Sequence, residues 1–256
     1  MRRRLLAASL AAGLTLVAAD APVRAQNAEA DQFCDPSAAN VILFLDVTSQ
    51  YDEIDKKTLI DGAASIFDAL KDGQRITIRT ISDEFARGTR LLSRCVPYCA
   101  DSSVFSTCTE GMLIKERRAF KLSLARTLLG AISESKELDH SEILRTIARA
   151  SEEEFKEGSE NLIYVFSDMI ENSKYMPGKT FFSETNRELI LRLADDKLIP
   201  NLRDATVRVF GFGRTGVAGR STLTQALLDK MTDFWKLFFT ASGATVSLQQ
   251  NLGSAP

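Results

Sequence analysis

NVILFLDVTSQ, residues 40–50, is an apolar run that stops on an acid and then turns polar. Val41 to Leu45 are five consecutive aliphatic or aromatic residues with no alternation of faces, the pattern of a strand buried on both sides of a parallel sheet. Asp46, Thr48, Ser49 and Gln50 then crowd together. That cluster has two physical readings. Thr48 or Ser49 can cap the following helix by accepting from its orphan N–H groups, or the acid and hydroxyls can form part of a cation site.

The chain on either side alternates strand and helix patterns. Ile54–Leu70 predicts a helix ended by Asp72-Gly73, and Arg75–Ile81 (RITIRTI) predicts a strand nearer the edge. Thr89–Val96, after a turn containing Gly88, predicts its antiparallel partner. The stretch that follows, as far as 111, reads as a stapled loop. Met112–Ser133 and His140–Lys156 predict helices, and the basic patch of the first (Lys115, Arg117, Arg118 and Lys121, with Glu116) reads as a solvated face. Asn161–Phe166 is a second apolar strand, and it too ends in polar residues, Ser167-Asp168. Glu184–Leu198 predicts a helix, Thr206–Phe212 a third buried strand, Thr222–Ala241 a helix with Phe234, Trp235, Phe238 and Phe239 in the core, and Ala244–Leu248 a short last strand. This order implies one α/β domain over residues 40–250, Rossmann-like, with a mostly parallel sheet, one antiparallel edge strand and helices on both faces. Residues 26–39 read as a leader and 251–256 as a tail.

Residues 1–25 have the three parts of a secretory signal peptide: Arg2-Arg3-Arg4, the apolar stretch Leu5–Ala19, and Val23-Arg24-Ala25 as a small-x-small cleavage site. The expected location after cleavage near Ala25 is periplasmic or secreted, and no later apolar stretch is long enough to span a membrane. The chain has 32 basic and 34 acidic residues, and removing residues 1–25 leaves 28 and 33, a net charge of about −5. That balance argues against nucleic acid or an anionic membrane as the partner, since phosphate binding needs clustered positive charge. Cys34, Cys95, Cys99 and Cys108 are an even set in an oxidising compartment and read as two disulfides with three possible connectivities. Cys34 precedes the first strand and an antiparallel third strand would bring Cys95 to the same sheet end, so a staple from Cys34 to Cys95, Cys99 or Cys108 is expected away from Asp46.

In open α/β sheets ligands bind beyond the carboxyl ends of the strands where the strand order reverses. If the strands ending at Asp46 and Asp168 are neighbours there, two carboxylates and several hydroxyls share one crevice. These are hard oxygen ligands, suited to Mg²⁺, Mn²⁺ or Ca²⁺. At this point the sequence resembles the von Willebrand factor A domains. Their metal-ion-dependent adhesion site joins an Asp-x-Ser-x-Ser loop after the first strand, a Thr before a later helix and an Asp after the fourth strand. Asp46-Val47-Thr48-Ser49-Gln50 is similar to the first loop, with Thr48 at a hydroxyl position and Gln50 departing from the pattern; Ser141 in HSEILRTIARA stands at the Thr position, and Ser167-Asp168-Met169 at the last loop. The resemblance implies metal ligation by Asp46, Thr48, Ser141 and Asp168, with Ser49 and Gln50 as further ligands or rim. It also implies a protein partner, here one of the cell envelope, whose acidic residue completes the metal shell. A degenerate site on the same fold, acting as a metal-free scaffold, is the alternative.

Two enzyme readings compete. Phe44-Leu45-Asp46-Val47-Thr48 also resembles the nucleophile loop of haloacid-dehalogenase-like phosphohydrolases, but Thr48 stands where their second Asp is needed. Gly211-Phe212-Gly213-Arg214-Thr215-Gly216 spells GxGxxG, yet it follows a late strand and lacks the ribose-binding acid expected about 20 residues on. His140, the only histidine, sits immediately beside Ser141, has no nucleophile elbow to serve, and reads as a surface or capping residue. The expectation is a binding protein rather than an enzyme.

Overall fold

The computed structural model of the chain describes residues 33–84, 88–99, 108–155, 158–214 and 223–251. The expected signal peptide lies outside these, as do residues 26–32 of the leader and 252–256 of the tail. Twelve elements run in the order β1 (Asn40–Asp46), α1 (Glu53–Ala69), β2 (Arg75–Ile81), β3 (Arg90–Cys95), α2 (Glu110–Ser133), α3 (Ile143–Glu154), β4 (Asn161–Phe166), α4 (Gly178–Ser183), α5 (Asn186–Asp195), β5 (Thr206–Phe210), α6 (Gln225–Ala241) and β6 (Thr245–Gln249). The six strands form one sheet in the order β3-β2-β1-β4-β5-β6, with only β3 antiparallel to its neighbour. The expected strands and helices are present. The unexpected one is α4, six residues long and so too short to show a helical period in sequence.

β1 is buried along its whole length, and successive residues feed opposite layers. Val41, Leu43 and Leu45 pack with Leu59, Ala63 and Ile66 of α1 and Phe120, Leu124 and Leu128 of α2. Ile42 and Phe44 pack in the other layer with Ile143 and Ile147 of α3, Leu189 and Leu193 of α5, and the α6 aromatics. Phe234, Trp235, Phe238 and Phe239 are all essentially inaccessible, and complete burial of such a side chain contributes roughly 1.5–3 kcal/mol. The strand order reverses between β1 and β4, which pair in parallel with Leu45 opposite Phe166. The residues that follow both strands therefore emerge side by side.

β2 lies second from the edge. Its alternation does not mark a solvent-facing side: Thr77 bonds Ser93 of β3 at 3.1 Å, and buried Arg79 pairs with Glu153 and Glu154 of α3. The disulfides are Cys34–Cys95 and Cys99–Cys108. The first joins the segment before β1 to the end of antiparallel β3, at the sheet end away from Asp46. Closing its 61-residue separation stabilises the fold by about 4 kcal/mol in the chain-entropy account. Two such bonds point to an oxidising, extracytoplasmic setting. No helix among the described residues is long and apolar enough to cross a membrane.

Candidate functional site

The site begins where β1 stops. Asp46 is wholly buried. Its Oδ1 accepts from the Thr48 backbone N–H at 2.9 Å and from the Thr48 hydroxyl at 2.6 Å, and its Oδ2 accepts from the Ser167 hydroxyl at 2.6 Å. Ser49 crosses to the second strand end, where its hydroxyl donates to Asp168 Oδ2 at 3.0 Å. Asp168 Oδ1 accepts from the Ile170 N–H at 2.9 Å, in a tight side-chain turn. Neither Thr48 nor Ser49 caps α1. Asp52 does so, accepting from the Asp55 N–H at 2.7 Å. Both hydroxyls next to Asp46 are thus committed to the two strand-end carboxylates.

The third sequence element arrives through β-type contacts between loops. Lys136 and Leu138 donate backbone N–H groups to Val47 and Thr48 carbonyls, and Ser141 exchanges both backbone hydrogen bonds with Asn172. These contacts bring Ser141 into a cleft of about 360 Å³ lined also by Thr48, Ser49, His140, Asp168 and Ile170. The Ser141 hydroxyl oxygen is buried and has no hydrogen-bond partner, an arrangement that folded proteins rarely leave unexplained. Gln50 is exposed and does not line the cleft. Asp46 lies behind the cleft wall and is reached through Thr48 and Ser167.

Burial pushes the Asp46 carboxyl above its ordinary range, against the pull of hydrogen bonds from Ser167 and Thr48. Burial, and then the charge of Asp46, push Asp168 up to about 7. Arg214 opposes both rises with its positive charge. It lies over the Tyr51 ring at 4.7 Å and is ion-paired with Asp55. Tyr51 in turn donates its hydroxyl to the Asp46 carbonyl at 2.8 Å.

Several residues without a local sequence signal position these groups. Glu171 is buried, and its Oε2 accepts from the Ile143 and Leu144 N–H groups at 2.7 and 3.1 Å. It therefore caps α3 from the neighbouring loop, where Glu142 supplies no side-chain cap. Burial pushes this carboxyl up to about 8. Met169 has φ 60°, and its carbonyl accepts from the Trp235 indole N–H at 2.9 Å. Gly213 donates its N–H to the Asp168 carbonyl at 2.9 Å. Its φ is 66°, and a Cβ there would stand 2.3 Å from Leu228 Cδ1, so this glycine of the GxGxxG stretch serves a close backbone approach at the site rim. The rest of that stretch, residues 215 and 216, lies outside the described residues.

The strand ends and Ser141 offer oxygen donors, the His140 ring and the Glu137 and Asp139 side chains also line the cleft, and among the described residues no three His, Cys, Asp or Glu side chains group into a metal cluster. The donor set is Asp168, Ser49 and Ser141, with Asp46 and Thr48 behind. It fits a hard divalent cation through its chemistry and through the unsatisfied Ser141 hydroxyl.

No family model and no curated protein matches the sequence. Among solved structures, the chain is similar to VWA2, a paralog of ArnB from Sulfolobus acidocaldarius, at 10% identity and a TM-score of 0.43, covering 84% of this chain and 42% of that one. Proximal thread matrix protein 1 from the mussel byssus gives 10% identity and 0.43, covering 86% and 45%. A von Willebrand factor type A structure from Catenulispora acidiphila gives 13% and 0.40, covering 84% and 39%. The chain spans less than half the length of each of these solved chains.

Proposed function

We propose that the chain is an exported protein-binding module that engages an acidic residue of a cell-envelope partner through a divalent cation, rather than a catalyst. The observation that carries this reading is the buried, unpartnered Ser141 hydroxyl facing the same cleft as Asp168 and Ser49. Mg²⁺, Mn²⁺ or Ca²⁺ would be held by Asp168, Ser49 and Ser141. Bound there, the ion would offer an open coordination position to a carboxylate. The protein's own groups supply the preorganisation. Asp46 fixes Thr48 and Ser167, the Ser49 hydroxyl orients Asp168, and the Ser141–Asn172 bridge sets the facing wall.

The site speaks against Asp46 as a phosphoryl-accepting nucleophile, because both its oxygens are engaged and it does not reach the cleft surface. A metal-free scaffold is the second reading. It is favoured by that same saturation of Asp46 and by the positive charge of Arg214 nearby.

Unfolding of the chain in EDTA and then with each ion separates the two. An ion that binds only the native state stabilises it by about 2.7 kcal/mol at a hundredfold excess over Kd. The expected outcome is such a gain with at least one ion, abolished by Asp168→Ala and by Asp46→Ala. No gain with any ion at millimolar levels overturns the cation reading in favour of the scaffold.

A further inference from the structure

α2 has five basic residues against two acidic ones, and the structure divides the five. Arg117 and Lys121 turn toward α1 and its end, pairing with Asp72 at 2.5 Å and Asp68 at 2.9 Å. Lys115, Arg118 and Arg126 are exposed and have no partner among the described residues. They share the outer face of the helix with Ile114, Leu122 and Leu129, which are 63, 48 and 52% exposed. Ala119, Ala125 and Gly130 complete that face, and no acid lies on it. The inner face is the ordinary one, with Phe120, Leu124, Leu128 and Ile132 buried against the sheet and α1.

Lys115, Arg118, Leu122, Ala125 and Leu129 follow the alternating three- and four-residue spacing of a helix–helix seam. At 1.5 Å per residue the seam is ~21 Å long. It is cationic at its amino end and aliphatic at its carboxyl end.

We propose that this outer face of α2 docks an acidic amphipathic helix of another protein. The partner's acids would meet Lys115, Arg118 and Arg126, and its aliphatic side chains would cover Leu122, Ala125 and Leu129. Charge complementarity selects an acidic occupant, and the seam spacing selects a helix laid along the face. A membrane surface fits less well. Helices lying in the interface keep a broad apolar face with cations on the polar side, whereas here Lys115 and Arg118 stand in the seam itself. A second copy of the chain also fits poorly, because antiparallel pairing about Leu122 sets Arg118 of one copy against Arg126 of the other. The surface is separate from the cleft, and the proposal stands without the cation.

The test is carried out in EDTA with the full chain, so that the fate of the cation reading does not affect it. The probe is a synthetic 21-residue helix with Glu opposite the three cations and Leu opposite the aliphatic end. A control peptide carries Lys in place of Glu. Binding of the Glu peptide by fluorescence anisotropy is expected to weaken at least tenfold in Arg118→Glu/Arg126→Glu and at least threefold in Leu122→Ala, with unfolding curves unchanged by these exposed substitutions. Photo-crosslinking from benzoylphenylalanine at position 122 in the producing cells should give an adduct that maps to an acidic amphipathic segment. Equal binding of both peptides, or no binding, overturns the proposal. So do crosslinks to lipid alone, binding to phosphatidylglycerol vesicles without binding to the Glu peptide, and self-association lost in Leu122→Ala.

Discussion

Two carboxylate clusters flank the same sheet, one built on buried Glu154 with exposed Glu153 beside it and one on buried Asp46 and Asp168, and they are neutralised in different ways. At the foot of α3, Glu154 and Glu153 meet the buried guanidinium of Arg79, with Arg90 on Glu154 as well. Burial draws Glu153 upward, but hydrogen bonds from Arg149 and Arg79 outweigh it and hold the carboxyl below its ordinary range. At the ends of β1 and β4, the hydrogen bonds to Asp46 among the described residues come from hydroxyl and amide donors, and both Asp46 and Asp168 are raised despite the charge of Arg214. The first cluster carries its own cation. The second stays raised even with the positive charge of Arg214 acting on both carboxyls, which distinguishes a paired ion network from carboxylates whose burial is only partly offset.

The largest expected effect tests the first cluster. Arg79→Met leaves Glu154 buried with a reduced counter-charge, and removing one partner of such a pair costs about 3–5 kcal/mol. Urea unfolding in EDTA reads this directly. Asp46→Asn should cost the protein far less in the same assay, because the lost charge was itself penalised by burial. If Asp46→Asn is as damaging as Arg79→Met, the two clusters are equivalent and the distinction fails.

Gly213→Ala comes next. A left-handed backbone and a contact with Leu228 together cost about 1–3 kcal/mol. Because Gly213 holds the Asp168 carbonyl, the variant should also blunt any stabilisation by Mg²⁺ or Mn²⁺. A loss of stability with an undiminished ion response would uncouple this loop from the site.

Glu171 gives the pH test. Its folded pKa of about 8 lies above the unfolded value near 4.5, so between those limits the unfolded chain binds fewer protons than the folded one. Stability from this group therefore falls as pH rises from about 4.5 to 8 and is level outside that window. Glu171→Gln should flatten the slope, gaining at least about 1 kcal/mol over the wild type at pH 8 relative to pH 5. Parallel pH profiles of the two proteins would show that the carboxyl is not held neutral. The smallest effect is at Asp52, where Ala removes the α1 cap at a cost of about 1 kcal/mol. It should leave the ion response intact, since the cap residue is neither Thr48 nor Ser49.

Much of this was legible in the chain. The unbroken apolar runs of β1 and β4 announce strands buried on both faces, and their polar ends announce the crevice, because both are local consequences of side-chain period and of where parallel strands terminate. Asp46, Thr48, Ser141 and Asp168 could be nominated from those patterns and the family resemblance. Cys34 and Cys95 could be placed at one end of the sheet on the same topological ground. Other features had no local trace. Glu171 caps a helix that begins before it in the chain, Ser49 rather than Gln50 turns inward to Asp168, and Gly213 and Trp235 brace the Asp168 loop from elements 45 to 67 residues away in sequence. RITIRTI reads as a strand nearer the edge, where β2 does lie, but nothing in the sequence marks Arg79 as buried, because that depends on Glu153 and Glu154 standing across from it. The basic patch of α2 reads as one solvated face, yet Asp68 of α1 and Asp72 beyond its end claim Lys121 and Arg117 and leave Lys115 and Arg118, with Arg126 further along, for the outer surface. Sequence by itself determined the elements, their order and the chemistry at the strand ends, since propensity and burial period act over a few residues. Only tertiary structure decided which polar groups satisfy one another and which remain for a ligand, because hydrogen bonds and charge pairs depend on neighbours in space.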